Sequence, residues 1–143
     1  MGDVTPGGEK EMGEGRGFTK KILHYLIDAG VTSLWCHATL CRFVISSEHL
    51  LKIAEMLNEQ QLSDRQNDAP RIIDFVEVAK KEPNALFECY VVLWMREDER
   101  FAVEGVVLPA ERQDLADELK AKALAPPDEE GSINADVIHM WWD

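Results

Sequence analysis

The sequence predicts an α+β protein with a mainly antiparallel sheet of five to six strands and three helices. Two observations carry that prediction. The apolar runs ALFECYVVLWMR and RFAVEGVVL flank the charged triplet EDE at 97–99, which reads as a hairpin with a short loop. Three other stretches space their apolar residues with a helical period. A length of 143 residues and a hydrophobic content of 45% suit one ordinary domain, large enough to need no metal or disulfide for stability. Residues 18–143 are assigned to that domain. Residues 1–17, which hold six of the nine glycines, are expected to be a disordered lead.

Taken in order, the first helix is expected over 18–29. Ile22, Leu23, Leu26 and Ile27 share a face, Thr19 offers an N-cap and Gly30 a stop. His24 falls on the polar face. Residues 31–46, VTSLWCHATLCRFVIS, are rich in β-branched, aromatic and sulfur side chains and read as extended, either one long strand or a pair broken near His37–Thr39. No Gly, Pro, Asn or Asp lies in that stretch to make a turn. Leu34, Ala38 and Cys41 would also suit helical spacing. Ser46 and Ser47 can cap a second helix over 47–61, with Leu50, Ile53, Ala54 and Leu57 inward. SDRQNDAP at 63–70 is a polar connection, RIIDFVEVAK at 71–80 reads as a strand, and EPN at 82–84 as a turn. After the 86–108 hairpin, which should form the centre of the sheet, Pro109 opens a third helix to residue 124. Leu115 and Leu119 form its narrow apolar stripe, and its acids and lysines are placed to complement the dipole. APPDEEGS is a loop and ADVIHMWW, 135–142, a final strand. VISSEHLLKIAEML at 44–57 is similar to VLPAERQDLADEL at 107–119. A ββαβ unit used twice would account for this, and so would chance likeness between two amphipathic βα units.

The net charge is −12 and unevenly placed. Residues 97–143 hold 13 acids and 4 bases, a net of −9, against −3 for the rest. Such a surface repels phosphate backbones and anionic lipids, which argues against nucleic-acid and membrane partners and favours a basic protein partner. Solubility alone is the plainer account of the same charge. No apolar run approaches a membrane span, and MGDVTPGGEKEMGEGRG lacks the apolar core of a secretory leader. Three reduced thiols in a cytoplasmic protein are therefore expected.

Candidate chemistry is sparse. In SLWCHATLC, a single strand would point Cys36 and Cys41 to opposite faces, whereas a reversal at His37–Thr39 would let them meet. The cysteines and His24, His37, His49 and His139 show none of the paired spacing of a zinc site, so no metal and no cofactor are expected. Buried structural cysteines are the expected outcome. No G-x-G-x-x-G, P-loop, H-E-x-x-H or G-x-S-x-G occurs. Glu88 and Glu104 each interrupt an apolar strand. Such residues ordinarily mark the solvent face of an antiparallel sheet, and a pocket acid is the functional alternative. Asp74 and Glu77 invite the same pair of readings.

Two function classes follow. The first is a non-enzymatic interaction protein, an inhibitor of the immunity-protein kind or an accessory subunit, that docks a basic partner through Trp141 or Trp142 beside Asp128, Glu129 and Glu130. In a strand one of these tryptophans would face the core, and packing of both beneath their neighbours is the plainer reading. The second is a small-molecule-binding domain or small enzyme with a pocket between sheet and helices, using His37, Cys41, Glu88 or His139. Homodimerisation through a sheet edge or Trp142 is a third expectation.

Overall fold

A computed structural model describes residues 16–132, 134 and 136–143, so all of the glycine-rich lead but Arg16 and Gly17 lies outside the described residues. The elements are α1 (Phe18–Asp28), β1 (Trp35–His37), β2 (Leu40–Ser46), α2 (Ser47–Ala54), α3 (Glu59–Leu62), α4 (Ile72–Lys81), β3 (Leu86–Val92), β4 (Arg100–Pro109), α5 (Gln113–Lys122), β5 (Glu129–Gly131) and β6 (Val137–Trp141). The class is α+β, and the sheet is six-stranded and antiparallel throughout, in the order β1-β2-β3-β4-β6-β5. Among the described residues the helices number five rather than three.

Local chemistry explains the difference. The helix expected over 47–61 is two. Asn58 accepts from the Gln61 N–H while its own N–H donates to the Gln61 side chain, each at 2.8 Å, and this reciprocal cap starts α3 afresh. The strand expected over 71–80 is α4. Its Ile and Val content suggests a strand, but Ile72, Phe75, Val76 and Ala79 lie at helical spacing and all are buried. Asp74 accepts from the Arg71 N–H at 2.9 Å and closes the first turn, so its role is structural. Glu77 pairs with Lys80 on the exposed side. Pro109 ends β4 instead of opening α5.

The stretch 31–46 reverses. His37 pairs with Leu40 across a two-residue turn of Ala38 and Thr39, with Ala38 at φ 53. The reversal brings Cys36 opposite Cys41, and the two form a disulfide with Cα atoms 4.0 Å apart. Three reduced thiols are thus corrected to one, the buried Cys89.

The core lies on one side of the sheet. Phe43, Ile45, Phe87, Val91, Val103, Val106 and Met140 point inward and meet the buried faces of the helices, including Ile22, Leu50, Ile53, Leu115 and Leu119. Phe75 stands edge-on to both Phe87 and Trp142, with ring centroids 6.2 Å apart in each case. On the other side Leu40, Tyr90, Val92 and Ala102 form a separate small cluster with no helical member. This second side is the open face.

Candidate functional site on the open sheet face

The open face takes its charge from strand alternation and one irregularity. Arg42, Glu88, Tyr90 and Ala102 alternate with core residues on β2, β3 and β4, and cross-strand pairing sets Arg42 beside Tyr90 and Tyr90 beside Ala102. The register between β3 and β4 then shifts: Cys89 pairs with Val103, but Glu88 pairs with Gly105. Glu104 is the extra residue of this bulge. It is 6% exposed, and its carboxylate accepts from the Arg42 guanidinium.

Burial pushes the Glu104 carboxyl above its ordinary value. Arg42 and hydrogen bonding from the Trp141 side chain oppose that rise, while the Glu88 charge adds to it. Arg42 lies over the Tyr90 ring at 5.6 Å and Arg100 lies over the same ring at 5.5 Å. Arg100 also donates to the Tyr90 hydroxyl at 2.7 Å, and that hydroxyl donates to Gln66 Oε1. The buried tyrosine is thereby fixed at ring and hydroxyl alike.

Next to this group, His139 on β6 meets Glu88 on β3 across β4, Nε2 to Oε1 at 2.7 Å, with both side chains partly exposed. Contact over an intervening strand requires that strand to be bare at the crossing, and Gly105 makes it so. A Cβ on Gly105 would overlap the Glu88 carboxylate and lie 3.0 Å from the Met140 carbonyl oxygen. The glycine therefore serves close approach.

The residues singled out in the sequence fall into distinct places. Glu88 and His139 come together. His37 is exposed on the same face, at the far edge, stacked on Trp35 with ring centroids 6.0 Å apart. Cys41 is excluded from that group: it is fully buried on the core side and bonded to Cys36. The four pocket candidates accordingly do not line one cavity between sheet and helices. Trp141 is half-buried on the open face, with Gly105 on one side and Glu129 on the other. Trp142 points the opposite way, is 1% exposed and donates its indole N–H to the Ala125 carbonyl at 3.0 Å. As a partner-binding residue it is corrected to a core residue, because adjacent strand positions face opposite sides. Asp128 and Glu129 are exposed at the β5 edge, and Asp128 accepts from the Asp143 N–H at 2.7 Å. Glu130 is drawn to Lys120 at 2.6 Å.

Sequence reasoning missed Arg42, Tyr90 and Arg100. An arginine and a tyrosine inside apolar strands, and an arginine at the head of a third, were the available signal. An open polar groove of about 470 Å³ adjoins the acidic edge, lined by Asn67, Asp68, Pro126, Asp128 and Asp143. Among the described residues no group of three or more His, Cys, Asp or Glu side chains is arranged to hold a metal ion, and no helix is long and apolar enough to cross a membrane. No protein-family model, curated protein or solved structure matches this chain.

Proposed function

We propose that the protein is a non-enzymatic interaction protein that docks a basic protein partner on the open sheet face, at its β5–β6 end. The observation that carries this reading is the adjacency of Trp141 and Glu129. They are cross-strand neighbours on a sheet face without a helical cover among the described residues, next to the exposed Asp128. A half-buried aromatic ring supplies apolar contact area, and acids at its rim steer a cationic partner and set its orientation. Trp35, Val44 and Leu86 add exposed apolar surface to the same face.

The test is capture from the native host's lysate by the tagged chain, washed at low and then raised salt, with Glu129→Lys and Trp141→Ala alongside. A stoichiometric basic protein is expected to leave as salt rises, and each variant is expected to retain about tenfold less of it. No partner at either salt, or full retention by both folded variants, overturns the reading.

A small-molecule site is the second reading, and the Glu88–His139 contact beside the buried Glu104 is what favours it. It would sit on the open face. Ligand-induced shifts of the His139 ring resonances that disappear in Glu88→Gln would separate it from protein docking.

A further inference from the structure

The β1–β2 hairpin is held by a covalent bond in a place where its turn chemistry is poor. A two-residue hairpin loop with positive φ at its first central residue alone is the pattern that takes glycine there. Here that residue is Ala38 at φ 53, and Thr39 follows with no positive φ. An alanine in this region crowds its Cβ against the following carbonyl, so the local sequence disfavours the very reversal that the structure adopts. Three-residue β1 sits at the sheet edge with every residue exposed. Besides the disulfide, β1 is held by the ladder to β2, by Leu34 just before it, which packs against the core, and by Ser33 Oγ, which donates to the Val44 carbonyl at 2.8 Å and accepts from the Val44 N–H at 3.0 Å, while the Thr39 carbonyl of the turn accepts from the Leu93 N–H at 2.8 Å. Within the disulfide, Cys36 is exposed and Cys41 is buried.

From these observations we propose that Cys36–Cys41 is an exchangeable disulfide, opened by small dithiols, and that its reduction frees β1 from the sheet edge. The sulfur of the exposed residue, Cys36, is the point of attack. One thiolate of the dithiol bonds to Cys36 Sγ, the Cys36–Cys41 bond breaks, and Cys41 leaves as a thiolate that takes up a proton. The second thiolate of the reagent then displaces Cys36 from the mixed disulfide. The protein disulfide gains two electrons and the reagent is oxidised to its cyclic disulfide. Cys89 does not compete as an internal attacker. It is buried, and burial, reinforced by the charges of Glu104 and Glu88, keeps it a thiol. Once the bond is open, the cost of Ala38 is no longer offset. Trp35 and His37 leave the open face, and the backbone of β2 is uncovered between Leu40 and Arg42.

Thiol titration and amide hydrogen exchange on the full chain test this. Denatured without reductant, the protein should show one free thiol, that of Cys89; three would overturn the proposal. Dithiothreitol should speed exchange across residues 34–42 about tenfold or more and leave β3 and β4 unchanged. Cys36→Ser/Cys41→Ser should exchange like the reduced wild type. The decisive variant is Ala38→Gly. Glycine accepts this φ without penalty, so the reduced variant should keep its hairpin and exchange close to the oxidised rate. Unchanged exchange on reduction, equal exchange in reduced wild type and reduced Ala38→Gly, or unfolding of the whole domain on reduction would each overturn it.

Discussion

Glu104 owes its position to the bulge in β4 and its ionisation to what surrounds it there. A carboxylate that is 6% exposed has lost most of its water, and the single guanidinium of Arg42 does not restore the balance, so its folded pKa stands above the ordinary 4.5. The consequence for stability has a definite sign. Above the folded pKa the carboxyl is ionised in both states, and the folded state bears the full cost of the buried charge. Between that pKa and 4.5 the folded state holds a proton that the unfolded state lacks, so stability falls as pH rises through this window. Below 4.5 both are protonated and the cost is gone. Glu104→Gln removes the titration, and Arg42, half-exposed, can turn to solvent. Urea unfolding of the two proteins from about pH 4 to pH 7 should show the variant gaining on the wild type as pH rises. A gap that is constant with pH, or that runs the other way, would mean that Arg42 outweighs burial. Glu88 and Glu104 stood out in the sequence because each interrupts an apolar strand. The bulge did not stand out, since a one-residue insertion in a ladder depends on the partner strand. Without it there was no reason to place Glu104 beside Arg42, or Gly105 beneath the Glu88 carboxylate.

At the level of elements, α1 shows how a helix can depend on a distant residue. Its apolar spacing places it over 18–29, one residue beyond the observed Phe18–Asp28, and Ile22 and Leu26 are fully buried, though Ile27 faces solvent. The sequence offers Thr19 as its cap. The acceptor at its N-terminus is instead Glu99, from the β3–β4 loop. That carboxylate takes the N–H groups of Gly17 and Thr19 at 2.8 and 3.1 Å and the Thr19 hydroxyl at 2.6 Å, with Arg16 Nε at 3.3 Å. The Glu99 side chain is 1% exposed, so water cannot stand in for it. Glu99→Ala should cost about 2–3 kcal/mol of unfolding free energy, measured in denaturant, because it orphans several donors in a buried setting. Glu97→Ala, at an exposed position two residues earlier, is the control and should change stability by less than about 0.5 kcal/mol. A loss in Glu99→Ala no larger than in the control would remove the cap from the account of this helix. The same contrast divides what was legible among the elements. Local pattern located α1, α2, α5 and the β3–β4 hairpin. It failed at α4, where β-branched composition competed with period, and at the β1–β2 turn it left one long strand and a broken pair both open, because the turn residues favour no reversal and the disulfide that offsets them forms only once the chain has reversed.

For the whole molecule, the charge imbalance along the chain is partly undone by folding. Ion pairs carry bases from the first two-thirds to acids of the last: Arg16 to Glu99, Arg42 to Glu104, Lys81 to Glu118 at 2.8 Å, while Arg112 binds Glu82 in the reverse sense at 3.1 Å. A net charge of −12 nevertheless remains, and Asp68, Asp128, Glu129 and Asp143 are all exposed around the β5 end of the sheet. Two effects of salt then oppose each other. Screening weakens the attraction within exposed pairs, each worth about 0–1 kcal/mol. It also weakens the mutual repulsion of the unbalanced acids, which acts over the whole surface when the Debye length is about 30 Å at 0.01 M and much less when it is about 8 Å at 0.15 M. The pairs whose acids are buried, at Asp74, Glu82, Glu99 and Glu104, are shielded from this change, so the repulsive contribution dominates the response. Tm should therefore rise between 0.01 and 0.15 M sodium chloride, by a few degrees. Neutralising the acidic edge in Asp128→Asn/Glu129→Gln should raise Tm at low salt and flatten the dependence. A Tm that falls with salt would show that surface attraction outweighs repulsion. The acidic edge would then be no reservoir of electrostatic strain for a basic partner to relieve, and docking there would have to rest on Trp141 and the apolar surface around it.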